Sequence, residues 1–137
     1  MKKRYLIYFI TILFISTLLA GAIVTRFDAE SNDDSIIVTW ETANEEGVNK
    51  FNLLRSYSVD GQFSVVHEQK AKGYGFVYKF TDNSVYKNSS VNASFYVYKL
   101  EIVLTDGTKA EVAPISVHHD QVSSIKRTWG SIKALFR

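Results

Sequence analysis

The chain has 137 residues, no cysteine, nine phenylalanines and eight tyrosines, and a net charge of +2. That length allows one domain of ordinary size with short appendages. The missing cysteine excludes a disulfide scaffold, a thiolate metal site and a catalytic thiol, so stability has to come from packing. The small net charge hides a three-part pattern. Residues 1–26 carry Lys2, Lys3, Arg4 and Arg26 and no acid; residues 27–120 hold all fourteen acids against eight basic residues, a net −6; residues 121–137 return to +4 with Lys126, Arg127, Lys133 and Arg137. An acidic domain between two basic, apolar ends points to membrane, and a central charge of −6 argues against a phosphate backbone as ligand.

Taken in order, Tyr5 to Val24 is a run of twenty residues without charge behind Met-Lys-Lys-Arg. Twenty apolar residues in a helix just cross a bilayer core. The basic flank stays in the cytoplasm and the acidic stretch beyond faces out, giving a single-pass anchor over residues 1–26, N-in and C-out. The competing reading is a signal peptide cut after Ala20-Gly21-Ala22, which would make the domain a secreted one. The run continues through Ile23-Val24 past that point, and this favours the anchor. Either way the remainder is exported.

Residues 27–34 are expected as an acidic linker, with a weak first strand as the alternative. Ser35 to Thr42 alternates, with Ile36, Val38 and Trp40 on one face, which is a half-buried strand. Ala43 to Lys50 reads as a polar loop turned by Gly47. Phe51 to Ser58 is the next strand, with Phe51, Leu53 and Arg55 on a shared face. Asp60-Gly61 signals a tight hairpin with glycine at positive φ, returning as Phe63 to His67. Glu68 to Gly75 is a basic connection. Phe76 to Phe80 places Phe76, Tyr78 and Phe80 on one side. After the polar loop Ser84 to Asn92, Phe95 to Leu104 is the longest strand, with Tyr96, Tyr98, Leu100 and Ile102 facing one way. Asp106-Gly107 turns the chain into Ala110 to His118, where Pro114 implies an edge or a bulge. About seven short strands with turn signals between them make an all-β sandwich over residues 35–120.

Val38-x-Trp40, Phe51-x-Leu53 and Tyr96-Val-Tyr98-Lys-Leu100 together resemble an immunoglobulin-like sandwich of the fibronectin type III class. The wording Trp-Glu-Thr-Ala-x-Glu, Phe-x-Leu-x-Arg-Ser and Asp-Gly-x-Phe is similar to such modules in bacterial exported proteins. The resemblance implies a core of Trp40, Phe51, Leu53, Tyr96, Tyr98 and Leu100, with Tyr96 as a corner tyrosine whose hydroxyl bonds back to nearby backbone. The chain departs from the family in lacking a proline-rich first strand, in a long segment from Glu68 to Asn92, and in having no Arg-Gly-Asp.

Candidate chemistry is sparse. His118-His119-Asp120 has metal-ligand residue types, but neighbours on a strand face opposite ways, so a solvated strand end is expected and no metal site. Glu41, Glu45 and Glu46 fall within six residues around one loop and read as surface charge, without the cleft that paired catalytic carboxylates require. Gly73-Tyr-Gly75 lacks the length and lysine of a phosphate loop. No catalytic residue and no cofactor are expected. Tyr57, Tyr74 and Tyr86 lie near turns and are the candidates for exposed contacts. Asn88-Ser-Ser90 and Asn92-Ala-Ser94 match the glycosylation sequon, which matters only on a eukaryotic secretory route.

Residues 121–137 leave the strand pattern. Ile125, Trp129, Ile132 and Phe136 make one helical stripe, with Lys126, Arg127, Lys133 and Arg137 beside it. Such a short basic amphipathic helix suits a membrane interface, and equally suits packing on the sandwich or on a partner protein. The reading from sequence is therefore a non-catalytic extracytoplasmic interaction or spacer module, tethered to the membrane, whose protein or polysaccharide partner is unknown. The alternative is a secreted carbohydrate-binding accessory domain released near Ala22.

Overall fold

The computed structural model describes residues 23–32, 34–87 and 95–119. The segments expected as anchor and as amphipathic tail, with both sequons, lie outside the described residues apart from Ile23 to Arg26. Among the described residues are eight strands and one short helix. They are β1 (Val24–Asn32), β2 (Ser35–Thr42), β3 (Val48–Ser56), β4 (Ser64–Lys70), β5 (Val77–Asp82), α1 (Ser84–Lys87), β6 (Phe95–Leu104), β7 (Lys109–Glu111) and β8 (Ile115–His118).

Two antiparallel sheets face each other. One has the order β1-β2-β5; the other runs β4-β3-β6, with β7 and then β8 pairing the far side of β6. Both are built on the alternation visible in the sequence. Ile36, Val38 and Trp40 of β2 turn inward against Phe51 and Leu53 of β3 and Tyr96, Tyr98, Leu100 and Ile102 of β6, each 1 % exposed or less. Trp40 stacks on Tyr78 at 5.2 Å and meets Phe51 at 6.2 Å, so three aromatic rings from both sheets fill the centre. The all-β two-sheet sandwich expected from the sequence is what the described residues form.

Four details differ from the sequence reading. The expected linker is a full strand through Asn32. β1 pairs along β2 from Val24↔Thr42 to Asn32↔Ser35, and Ile23 and Val24 are buried in the core. Acidic residues are tolerated there because β1 is an edge strand with one ladder partner and an open outer face. Second, β3 begins at Val48, so the loop is only Ala43 to Gly47. Third, β4 continues through Glu68 to Lys70, held by Lys50 to Glu68 at 2.9 Å. Fourth, Asp60-Gly61 makes no two-residue hairpin. Seven residues separate β3 from β4, and the glycines at positive φ are Gly47, Gly73 and Gly107. Gly107 sits in the expected Asp106-Gly107 turn, where φ of 86° suits glycine. Pro114 divides the last strand into β7 and β8, since it has no N–H for the ladder.

Direction along the strands defines two ends. The β2–β3 loop, the β4–β5 connection, the β6–β7 turn and the start of β1 share one end; the β3–β4 loop, α1 and the end of β8 share the other. The nine residues of β1 separate them by about 30 Å. At the first end Gly75 lies directly on β2's exit: a Cβ there would stand 2.6 Å from the Ala43 carbonyl oxygen and 2.9 Å from that of Thr42. Gly75→Ala is expected to cost about 1–3 kcal/mol through this overlap with backbone, read as a lower urea midpoint; an unchanged midpoint would refute the close approach.

Candidate functional site

The polar chemistry of the sandwich is gathered at its two ends. At the loop end Glu45, expected as surface charge, is 1 % exposed. Its Oε1 accepts from the Thr42 hydroxyl at 2.8 Å and the Tyr78 hydroxyl at 2.7 Å. Its Oε2 accepts from the backbone N–H of Lys72 at 2.6 Å and of Gly73 at 2.9 Å. One carboxylate thus pins the β2–β3 loop to the β4–β5 connection. Burial pushes this carboxyl up, but the bonds from Tyr78, Thr42, Gly73 and Lys72 outweigh it and hold the group ionised, below the usual carboxylate range. Burial and the neighbouring carboxylate push the Tyr78 hydroxyl strongly upward, so it stays protonated and donating.

Beside this latch a groove of about 370 Å³ opens between the start of β1 and the β6–β7 turn, lined by Ile23, Asn44, Glu46, Leu104 and Asp106 among others. It carries two carboxylates on separate loops. Among the described residues no group of three His, Cys, Asp or Glu side chains could hold a metal ion.

At the opposite end Arg55, on the inward face of β3, meets Asp82 at 2.5 Å. Asp82 also accepts from the Tyr98 hydroxyl at 2.9 Å and the Ser84 hydroxyl at 2.6 Å, and it caps the first turn of α1 by accepting from the Ser84 N–H. The guanidinium lies 5.6 Å from the Tyr57 ring centre and 5.7 Å from that of Tyr96. Burial would raise the Asp82 pKa, yet Ser84, Arg55 and Tyr98 together bring it below the ordinary value. Burial and the adjacent Asp82 drive Tyr98 far upward. Both charges are spent on each other, which makes this a pin between the sheets and not a reactive site.

Of the residues singled out by sequence, Trp40, Phe51, Leu53, Tyr96, Tyr98 and Leu100 lie in the core. The Tyr96 hydroxyl is buried and has no hydrogen-bond partner among the described residues, so the expected corner bond is absent there; Tyr98, two residues on, makes the tyrosine's polar contact instead. Tyr57 (40 % exposed) and Tyr74 (61 % exposed) are both at the surface, but at opposite ends, so they do not share one platform. Tyr86 has its backbone in α1, and its side chain is not among the described parts. His118 and His119 do face opposite ways, but the strand end expected as solvated is so only at His118; His119 is buried, because it packs against β1 with its Nδ1 2.7 Å from the Ser31 hydroxyl. Ile125, Lys126, Arg127, Trp129, Ile132, Lys133, Phe136 and Arg137 lie outside the described residues. Sequence reasoning missed Glu45 and Asp82 as buried anchors. The available signal was Arg55: a cation on the face shared with Phe51 and Leu53 requires an acid from elsewhere.

No protein-family model and no curated protein matches this chain. Among solved structures it is similar to a fibronectin type III-like protein from Clostridium thermocellum, with a TM-score of 0.50 and 19 % identity over 74 % of this chain and 96 % of that one. It is also similar to pectate lyase PelI from Erwinia chrysanthemi in complex with tetragalacturonic acid, with a TM-score of 0.51 and 12 % identity over 66 % of this chain. Pectate lyase Pel3 from Pectobacterium carotovorum matches with a TM-score of 0.50 and 16 % identity over 72 %. The chain spans about a quarter of each lyase, 27 % in both cases. At these identities what is shared is the fold, an all-β sandwich of the immunoglobulin and fibronectin type III kind.

Proposed function

We propose that this chain is a non-catalytic extracytoplasmic interaction or spacer module, held to a membrane by its N-terminal segment. The observation that carries this reading is how the domain starts. Ile23 and Val24, the last two residues of the uncharged run, are buried in the sandwich. The run before them, Tyr5 to Ala22, still has eighteen residues, about 27 Å as a helix and within the range that crosses a bilayer. The membrane segment therefore leads into β1 without a linker. The basic tail begins beyond His119, at the end some 30 Å away. Partner contact then falls to that far end and its tail.

The same junction supports the second reading, secretion after cleavage near Ala22, because Ala20-Gly21-Ala22 stands directly before the first core residue. A carbohydrate-binding role has support only from the shared fold of the pectate lyases, and the separation of Tyr57 from Tyr74 gives it no common aromatic surface.

Cell fractionation with N-terminal sequencing separates the two. The intact chain is expected in the membrane fraction, resistant to alkaline carbonate and beginning upstream of Tyr5. A soluble protein beginning at Ile23 would overturn the tether.

A further inference from the structure

Resting on the tethered reading, we propose that the β4–β5 connection, residues 71–76, together with Val77 at the start of β5, is a second membrane contact that seats the loop end of the sandwich on the lipid head groups. Its composition is that of an interfacial anchor. Tyr74 is 61 % exposed and Val77 54 % exposed, although both are large apolar-bodied side chains. Phe76, between them in sequence, is half-buried against the core with its ring 5.0 Å from Tyr78 and 6.2 Å edge-on from Tyr74, and the Lys72 ammonium lies 3.1 Å above its centre. Tyrosine and lysine together favour the boundary where the ring is half dry and the ammonium reaches phosphate. From Gln69 to Thr81 the sequence has Lys70, Lys72 and Lys79 and no acid. Of the carboxylates at this end, Glu46 and Asp106 line the groove between the start of β1 and the β6–β7 turn, Glu45 is buried and spent on the Lys72 and Gly73 N–H groups, and Glu41 stands opposite Val77 across the β2–β5 ladder.

Position supplies the second argument, and it names lipid as the occupant. Ile23, the first buried residue after Tyr5 to Ala22, accepts through its carbonyl from the Ala43 N–H at 3.0 Å. Gly75 lies against the other side of the same Ala43, and Phe76 exchanges bonds with Thr42 at 3.0 Å and 2.9 Å. Two strand spacings, about 10 Å, therefore separate the connection from the place where the chain leaves the core, roughly one helix width. The connection is also preorganised: the Glu45 carboxylate fixes the Lys72 and Gly73 N–H groups, so little ordering entropy remains to be lost on contact. A membrane that receives Tyr5 to Ala22 thus finds Tyr74 and Val77 beside it, already held in place.

The missing cysteines make the test direct. Single-cysteine variants of the full chain, Ile12→Cys, Tyr74→Cys, Val77→Cys and Val59→Cys, are labelled with an environment-sensitive fluorophore. They are then reconstituted into vesicles of phosphatidylethanolamine and phosphatidylglycerol with or without doxyl-labelled lipid. Labels at 12, 74 and 77 are expected to shift to the blue and lose intensity to the doxyl lipid, while the label at 59, at the far end, stays aqueous. A quenched label at 12 with aqueous labels at 74 and 77 overturns the seating and leaves the tether standing. An aqueous label at 12 removes the tether and the seating with it. Equal quenching at 59 and 74 shows a domain without fixed orientation, which also overturns the proposal. Circular dichroism melts matching the parent confirm that the labelled proteins are folded.

Discussion

Replacing Asp82 by alanine is expected to lower the unfolding free energy by about 3–5 kcal/mol, because it strands the Arg55 guanidinium inside the sandwich. Arg55 is 8 % exposed by side chain and Asp82 3 %, so water cannot take over the missing contact without opening the end of the fold. Tyr98 and Ser84 lose their acceptor in the same substitution. The double variant Arg55→Met with Asp82→Leu should recover most of the loss, since removing both charges removes the desolvation cost as well. Urea denaturation of the three proteins measures this. A single variant within 1 kcal/mol of the parent would show that the pair contributes little. The pH dependence has a defined sign. The folded-state pKa of Asp82 is depressed, so its contribution is fully present above the unfolded value of about 4 and disappears as pH falls through the lower folded value. Glu45 has the same sign. The parent should therefore lose stability below about pH 4, and Asp82→Ala should show a shallower acid limb.

Glu45→Gln comes next, with an expected loss of about 2–4 kcal/mol despite its near-identical shape. The carboxylate serves donors on both oxygens, and an amide can match only one side. With its oxygen toward Tyr78 and Thr42, its NH2 group faces the N–H groups of Lys72 and Gly73, donor against donor. Hydrogen exchange at those two amides should rise far more than at the core amides of β6. Protection equal to the parent's at Lys72 and Gly73 would show that the latch does not hold the connection.

These two anchors also mark where sequence reasoning stopped. Strands with unlike faces were legible: β2 and β6 alternate because one side of each meets the core and the other meets water. β1 was legible at most as a weak strand, since an edge strand tolerates Asp28 and Glu30 on its open side and its pattern shifts at a bulge between Val24 and Arg26. Glu45 was illegible for a different reason. Its loop context is polar and local, whereas the donors that bury it come from Lys72, Gly73 and Tyr78, 27 to 33 residues away. The exposure of Tyr57 and Tyr74 followed from their place near turns. Their separation followed only from the course of β4, which carries the chain from one end of the sandwich to the other between them.

The placement of Ile23 and His119 at opposite ends has a mechanical consequence. A pull between them acts along β1 from its outer end and along β8 from its own, each parallel to the strand it pairs with. Ladder hydrogen bonds lie across the strands, so such a load is borne in shear by the whole ladder at once and does not peel it bond by bond. The eight registered pairs of β1 with β2 and the four of β8 with β6 then act in series through the aromatic core. A module fixed at one terminus and engaged at the other is thereby braced along the line on which it would be stretched.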